Sequence, residues 1–223
     1  MQITKLEVTV QRRAPKPNPN RDALQSLPGS GSVHVVLHTD RGVSGTGEVG
    51  FGRVAGAPDT LAALIQHELE PLVVGTDPAF VRHTHAEMLR ETEFHGSSGL
   101  TTFGIAAIDT ALWDCLGKAL GVPCWQLWGG VHERIPAYAM VGWLNYDDEE
   151  VQRICAQAVQ QGFKAVKIKV GYPTLEQDLQ RIDVVRQAIG DEIRLMVDAN
   201  QSLTTAEAIV RGRAFQGAGC HWW

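Results

Sequence analysis

The stretch Lys164 to Gln201, KAVKIKVGYPTLEQDLQRIDVVRQAIGDEIRLMVDANQ, decides the fold. It holds two short apolar runs around an amphipathic segment, and each run ends in charged or amide side chains. Side chains alternate across a strand, so Lys167 and Lys169 share one face while Val166, Ile168 and Val170 take the other. The second run, Ile193 to Val197, is apolar until it releases Asp198 and Asn200, again two apart. Between the runs, Thr174 and Gln177 form a capping-box pair, and Leu175, Leu179, Ile182, Val185 and Ile189 approximate one helical face. The pattern is strand–helix–strand with polar residues at the strand ends, where parallel β/α folds place their chemistry.

Outward from that unit the pattern repeats. Apolar runs begin near residues 135, 164 and 193, an even spacing of 29, and each is followed by a helix with a capping pair: Asp147 with Glu150, Thr174 with Gln177, Thr204 with Glu207. A fourth run starts at Cys220-His221-Trp222-Trp223. Units of ~30 residues match the pitch of a (β/α)₈ barrel. Residues 126–223 are therefore expected to form the first part of a TIM-type barrel, with three βα units and the start of a fourth strand.

Residues 1–125 read differently. Strand-like runs at 2–10, 33–38 and 43–49, the last two joined by Thr39-Asp40-Arg41-Gly42, predict a three-stranded antiparallel sheet. Helices follow: one opened by Pro58-Asp59, one after Asp77-Pro78, and one over Ile105 to Leu120 that Gly121 and Pro123 stop. This is an α+β domain followed by an incomplete α/β barrel. Pro- and Gly-rich loops over 15–31 and 50–58 have the composition of functional or mobile segments.

The net charge of −5 gives no basic footprint for nucleic acid, and no apolar run approaches the ~18–20 residues that span a bilayer. The N-terminus alternates like a strand and does not resemble a signal peptide. Cys115, Cys124, Cys155 and Cys220 are scattered without a C-x-x-C pair, which predicts reduced thiols and a cytoplasmic setting. His83 and His85 would face different directions on a helix, so a metal pair there is not expected.

Taken locally, Lys167 and Lys169 suit either a strand with one wet face or a pair of inward amines. Inside a barrel a lysine must be partnered or partly neutral, and two adjacent ammonium groups favour loss of one proton, giving a usable base. Lys164 has the opposite parity and reads as a surface residue. Asp198 suits a turn or N-cap as well as it suits a ligand for a hard divalent cation such as magnesium. Asn200 could bind a substrate oxygen or close the turn.

Val166-Lys167-Ile168-Lys169-Val170-Gly171-Tyr172-Pro173, Met196-Val197-Asp198-Ala199-Asn200-Gln201-Ser202, and Ala107-Ile108-Asp109-Thr110-Ala111-Leu112-Trp113-Asp114 followed by Gly117-Lys118-Ala119 and Trp128-Gly129-Gly130 resemble the enolase superfamily, specifically its mandelate racemase/muconate lactonizing enzyme family and the racemase-like subgroup. The resemblance implies an N-terminal capping domain on a (β/α)₇β barrel that binds Mg²⁺. It also implies an enediolate formed by abstracting the proton α to a carboxylate. By that likeness Lys169 is the base, Lys167 tunes it and faces the substrate carboxylate, Asp198 is a metal ligand and Asn200 contacts substrate. The expected activity is that of a sugar-acid dehydratase or 2-hydroxy-acid racemase acting on a small carboxylate, in a homo-oligomer. The alternatives are a muconate-type cycloisomerase or amino-acid derivative epimerase, and a non-catalytic remnant. Arg21, Arg53 and Trp143 read as surface or packing residues before site residues.

The family's two further carboxylate ligands and its second acid/base group lie on later strands that these 223 residues do not contain. The chain is therefore read as C-terminally truncated. Alone, it is expected to be inactive and prone to aggregate.

Overall fold

The computed structural model describes residues 1–29, 31–51, 54–96 and 98–223; Arg53 lies outside them. The chain divides into two compact units, one of Met1–Pro15 with Gly29–Glu133 and one of Lys16–Pro28 with Arg134–Trp223. Relative to the expected 1–125 and 126–223, the observed division falls a little later, and residues Lys16–Pro28 group with the second unit.

In chain order, β1 (Ile3–Gln11) is followed by the short β2 (Asn20–Arg21) and β3 (Ser26–Leu27), then β4 (Gly31–Thr39) and β5 (Ser44–Phe51). Strands β1, β4 and β5 form an antiparallel sheet in the order β1-β4-β5, with His38 opposite Ser44 across the expected turn. Alternation buries Val33, Val35 and Leu37 on one face of β4, as period-two patterning requires. Helices α1 (Ala57–Leu64), α2 (Glu70–Val73), α3 (Val81–Glu91), α4 (Leu100–Leu120) and α5 (Cys124–Leu127) complete the unit. A π-turn over Ile65–Leu69 joins α1 to α2 without a break. Gly121, at φ 65°, ends α4 in the left-handed conformation that glycine adopts without steric cost.

Helix α4 lies directly on β5. A Cβ at Gly45 or Gly47 would collide with the backbone carbonyls of Ala111 or Ala107, so the absence of side chains there sets the helix–sheet distance. The core of the unit joins Leu61, Ile65, Leu69 and Val73 of the α1–α2 segment and Ile105, Ile108 and Leu112 of α4 with the buried face of β4.

The second unit carries β6 (Ala139–Met140), α6 (Asp148–Gln160), β7 (Ala165–Lys169), α7 (Leu175–Ile189), β8 (Arg194–Asp198) and α8 (Thr205–Gly217). The strands are parallel in the order β6-β7-β8, and Trp222 makes a further parallel bridge to Met196. This is part of a parallel β/α barrel. All three expected capping pairs are present: Asp147 accepts from the Glu150 N–H, and Thr174/Gln177 and Thr204/Glu207 form reciprocal boxes. Val166, Ile168, Leu195 and Val197 are buried against α6, α7 and Phe215 of α8. The first barrel strand is shorter than the apolar run that predicts it, because only Ala139 and Met140 pair with β7.

The buried face of α7 is not wholly apolar. Asp178 and Arg181 are buried alongside Ile182, Val185 and Ile189, which the apolar periodicity alone does not anticipate. The four cysteines are free, and no helix among the described residues is long and apolar enough to cross a membrane.

Candidate active site

Strands β7 and β8 run side by side in a register that sets Lys169 opposite Asp198. Both residues close their strands at the carboxyl end, where the polypeptide leaves the sheet and side chains can project past the barrel layer. The parity argument places Lys167 on the same face, and the structure joins all three residues. Lys169 Nζ donates to Asp198 Oδ2 at 2.8 Å, and Lys167 Nζ lies 3.0 Å from that same oxygen. Lys169 is 5% exposed, so its ammonium is almost wholly removed from water. Of the two routes open to an inward lysine, the structure shows a partner.

The other carboxylate oxygen closes the turn: Asp198 Oδ1 accepts from the Asn200 N–H at 2.9 Å. Burial works against ionisation of Asp198, but hydrogen bonds from Lys169, the Asn200 backbone and Lys167 outweigh it and hold the carboxyl at about 2. Asn200 and Gln201 sit at φ 50° and 61°, in the left-handed region that asparagine tolerates better than most residues. The turn leaves the Asn200 side-chain Oδ1 buried and without a hydrogen-bond partner, an acceptor with its capacity unused. Asp198 and Asn200 line a cleft of about 240 Å³ with Trp222 and Trp223.

Aromatic rings flank the two amines. Lys169 Nζ lies 5.1 Å from the Trp143 ring centre. Lys167 Nζ lies 5.6 Å from Tyr138 and 5.9 Å from Trp222, and those two rings pack edge to face. Ring faces attract cations at these distances, so each ammonium is held between a carboxylate and π-systems. The local sequence favours packing for Trp143; its ring in fact faces the candidate base. Tyr138 and Trp222 carry no local motif and become legible only once the strands are aligned.

The loops that follow the strands are fixed by buried polar groups. Arg181 donates to the carbonyls of Trp143 and Tyr146 at 2.7 and 2.8 Å, clamping the loop after β6. Asp178, fully buried, accepts from the N–H groups of Gly171 and Tyr172 and from Arg211 Nη1. Arg211 also donates to the carbonyls of Tyr172 and Pro173, so the loop after Lys169 is held from both sides. Arg21 anchors the segment 16–28 to the β6 loop through its backbone, giving its N–H to Asn145 Oδ1 and taking the Leu144 N–H. Its side chain lines a separate cleft of about 560 Å³ with Ser202 and Arg211.

A hard cation suits the chemistry of Asp198, whose carboxylate is of the right class. The fit is that of one ligand: among the described residues no three His, Cys, Asp or Glu side chains stand together as a metal site.

Two amines and a carboxylate at the carboxyl ends of adjacent parallel strands define the class of β/α proteins that gather their chemistry at one rim of the sheet. Residues 5–129 match the mandelate racemase/muconate lactonizing enzyme N-terminal domain, and residues 150–223 match the enolase C-terminal domain-like family. The chain belongs to the mandelate racemase/muconate lactonizing enzyme family of the enolase superfamily. It is 31% identical over 206 residues to arabinonate dehydratase of Saccharolobus solfataricus, covering 91% of this chain and 55% of that protein. A racemase from Streptomyces coelicolor A3(2), solved with bound magnesium, superposes with a TM-score of 0.90 at 28% identity, over 99% of this chain and 61% of that one. The L-talarate/galactarate dehydratase of Salmonella typhimurium LT2, solved with magnesium and L-lyxarohydroxamate, superposes at 0.87 with 27% identity, over 99% and 57%. Other relatives include a cycloisomerase and an epimerase. The chain spans about half the length of the curated relatives it matches.

Proposed function

We propose that the whole protein abstracts the proton α to a carboxylate, most plainly from a sugar acid that it dehydrates or a 2-hydroxy acid that it racemises. The observation that carries this is the convergence of Lys169 and Lys167 on Asp198 at the rim of one parallel sheet. Lys169, the more buried amine, is the base at the α-carbon. The Lys167 amine lies beside the substrate carboxylate, where removal of the proton adds a second negative charge. Asn200 offers its unused side-chain oxygen to a substrate hydroxyl. Asp198 would be one ligand of a magnesium ion, which would supply fixed positive charge where the negative charge develops. Dehydratases among the relatives, and magnesium in two of the similar structures, support the substrate class and the ion.

The test is exchange of the α-hydrogen for solvent deuterium, followed by proton NMR with arabinonate, galactarate and simple 2-hydroxy acids in the presence of magnesium. Because the chain spans about half the relatives' length, it is joined for the assay to the later barrel strands of the Salmonella dehydratase. Lys169→Met should slow exchange by about 10²- to 10⁴-fold, the usual worth of a positioned base. Undiminished exchange in that variant, or no exchange with any acid in the parent, ends the assignment.

A further inference from the structure

Trp143 stands on the loop that follows β6, and that loop is bonded directly to the candidate base. The Lys169 N–H donates to the Gly142 carbonyl at 3.0 Å, so the residue before Trp143 is tied to the backbone of Lys169 itself. Arg181, 3% exposed on α7, donates to the Trp143 carbonyl at 2.7 Å, and the Tyr146 N–H reaches the same oxygen at 3.1 Å. Gly142 turns the chain at φ 74°, and a Cβ there would lie 2.8 Å from Ile168 Cγ2, so the loop presses closely on β7. A guanidinium is costly to bury, and this one is committed to the carbonyls of the loop that carries the indole.

Two observations separate the ring from ordinary packing. Among the described residues, the apolar core of the second unit is assembled without Trp143. Its ring centre instead lies 5.1 Å from Lys169 Nζ, within the range at which a ring face attracts a cation. The other partner of that amine is crowded. Asp198 Oδ2 meets Lys169 at 2.8 Å and Lys167 at 3.0 Å, and the same carboxylate is the proposed magnesium ligand. An oxygen shared in this way holds each amine less firmly. Lys167 faces rings of its own, Tyr138 and Trp222, which leaves the Trp143 ring to Lys169.

We infer that Trp143 is the positioning residue for the candidate base: its ring holds the Lys169 amine at the strand end, and Arg181 holds the loop that presents the ring. This rests on the function proposed above. A lysine amine rides on a long flexible stem, and a displacement of about 1 Å can cost about 10²-fold in rate. When the amine takes a proton it gains charge on the atom the ring faces, so the contact is stronger in the transition state than before it. Its loss therefore falls on kcat and not on KM.

The test uses the barrel-completed protein of the exchange assay, with Trp143→Leu or Trp143→Met to remove the ring and Trp143→Phe or Trp143→Tyr to keep one. Exchange of the α-hydrogen, melting temperature and the ε-methylene NMR signals of isotope-labelled lysine are followed in each. The Lys169 signal is assigned by its loss in Lys169→Met. The ring-free variants should lose about 10- to 100-fold in kcat with KM within about twofold of the parent, and the ring-bearing ones should keep most of the rate. A ring face also shields the Lys169 methylene, which should move its signal upfield in the parent and the ring-bearing variants and not in the ring-free ones. Equal rates with and without a ring, a loss that follows the melting temperature across the four variants instead of the ring, or a parent Lys169 signal at the position of exposed lysines would each overturn the inference. A parent that exchanges no acid defeats the base assignment itself, and the Lys169 signal then decides alone whether the ring holds that amine.

Discussion

Asp178→Asn is the sharpest perturbation of the framework behind the candidate site. The amide has the shape of the carboxylate, so no cavity opens, and its oxygen can still accept from the Gly171 and Tyr172 N–H groups, now at 2.8 and 2.9 Å. What changes is the partner of Arg211: an amide N–H or a neutral oxygen replaces an anion at a site where Asp178 has no exposure. Removing one member of a buried ion pair costs roughly 3–5 kcal/mol, because the other charge stays desolvated without compensation. The Arg211 contacts to the Tyr172 and Pro173 carbonyls offset part of that, which puts the expected loss near the lower end, about 3 kcal/mol. Urea unfolding should show it as a lower midpoint, and hydrogen exchange at the Gly171 and Tyr172 amides should accelerate selectively. Asp178→Asn with Arg211→Met should be less destabilised than the sum of the single changes, since the double variant leaves no orphaned charge. A single-variant loss below about 1 kcal/mol, the range of surface pairs, would refute the view that this pair holds the loop.

Other outcomes can be checked in parallel. Asp198 is held at about 2 against an ordinary 3.8, so its contribution of about 2 kcal/mol is complete above pH 4 and fades as the pH falls toward 2; acid unfolding of Asp198→Asn should lack that part of the transition. Gly47→Ala drives a methyl into the Ala107 carbonyl and should destabilise the N-terminal unit by about 1–3 kcal/mol or more, read as a lower melting temperature. Burial pushes the Cys155 thiol up to about 11, with Arg181 opposing, so Cys155 should escape iodoacetamide at pH 8 in the native protein and react once urea is added.

The strand–helix–strand unit was legible because two independent signals agree over Lys164–Gln201: apolar runs of strand length, and a capping box between them. Parity alone put Lys167 and Lys169 on one face. Their convergence with Asp198 follows from a parallel register that no single strand encodes. The resemblance supplied roles for those residues; the structure supplied the distances. Asp178, Arg181 and Arg211 were missed for a definite reason. Charged residues on a helix are ordinarily solvated, and a buried one is visible only when its partners, here backbone groups of loops in other elements, are known. Tyr138 and Trp222 were missed because ring–cation contacts join strands far apart in sequence.

The π-turn between α1 and α2 has a geometric consequence. Leu61, Ile65, Leu69 and Val73 recur at strict fours and are all fully buried. In a regular helix each step of four overshoots a full circle by about 40°, so by Val73 the stripe would have wandered about 120° around the rod. The widened turn at Ile65–Leu69 winds more slowly and takes back more than half of that drift. One looser coil thus keeps four aliphatic side chains in one core, where Leu61, Ile65 and Leu69 crowd the space beside Gly104 of α4.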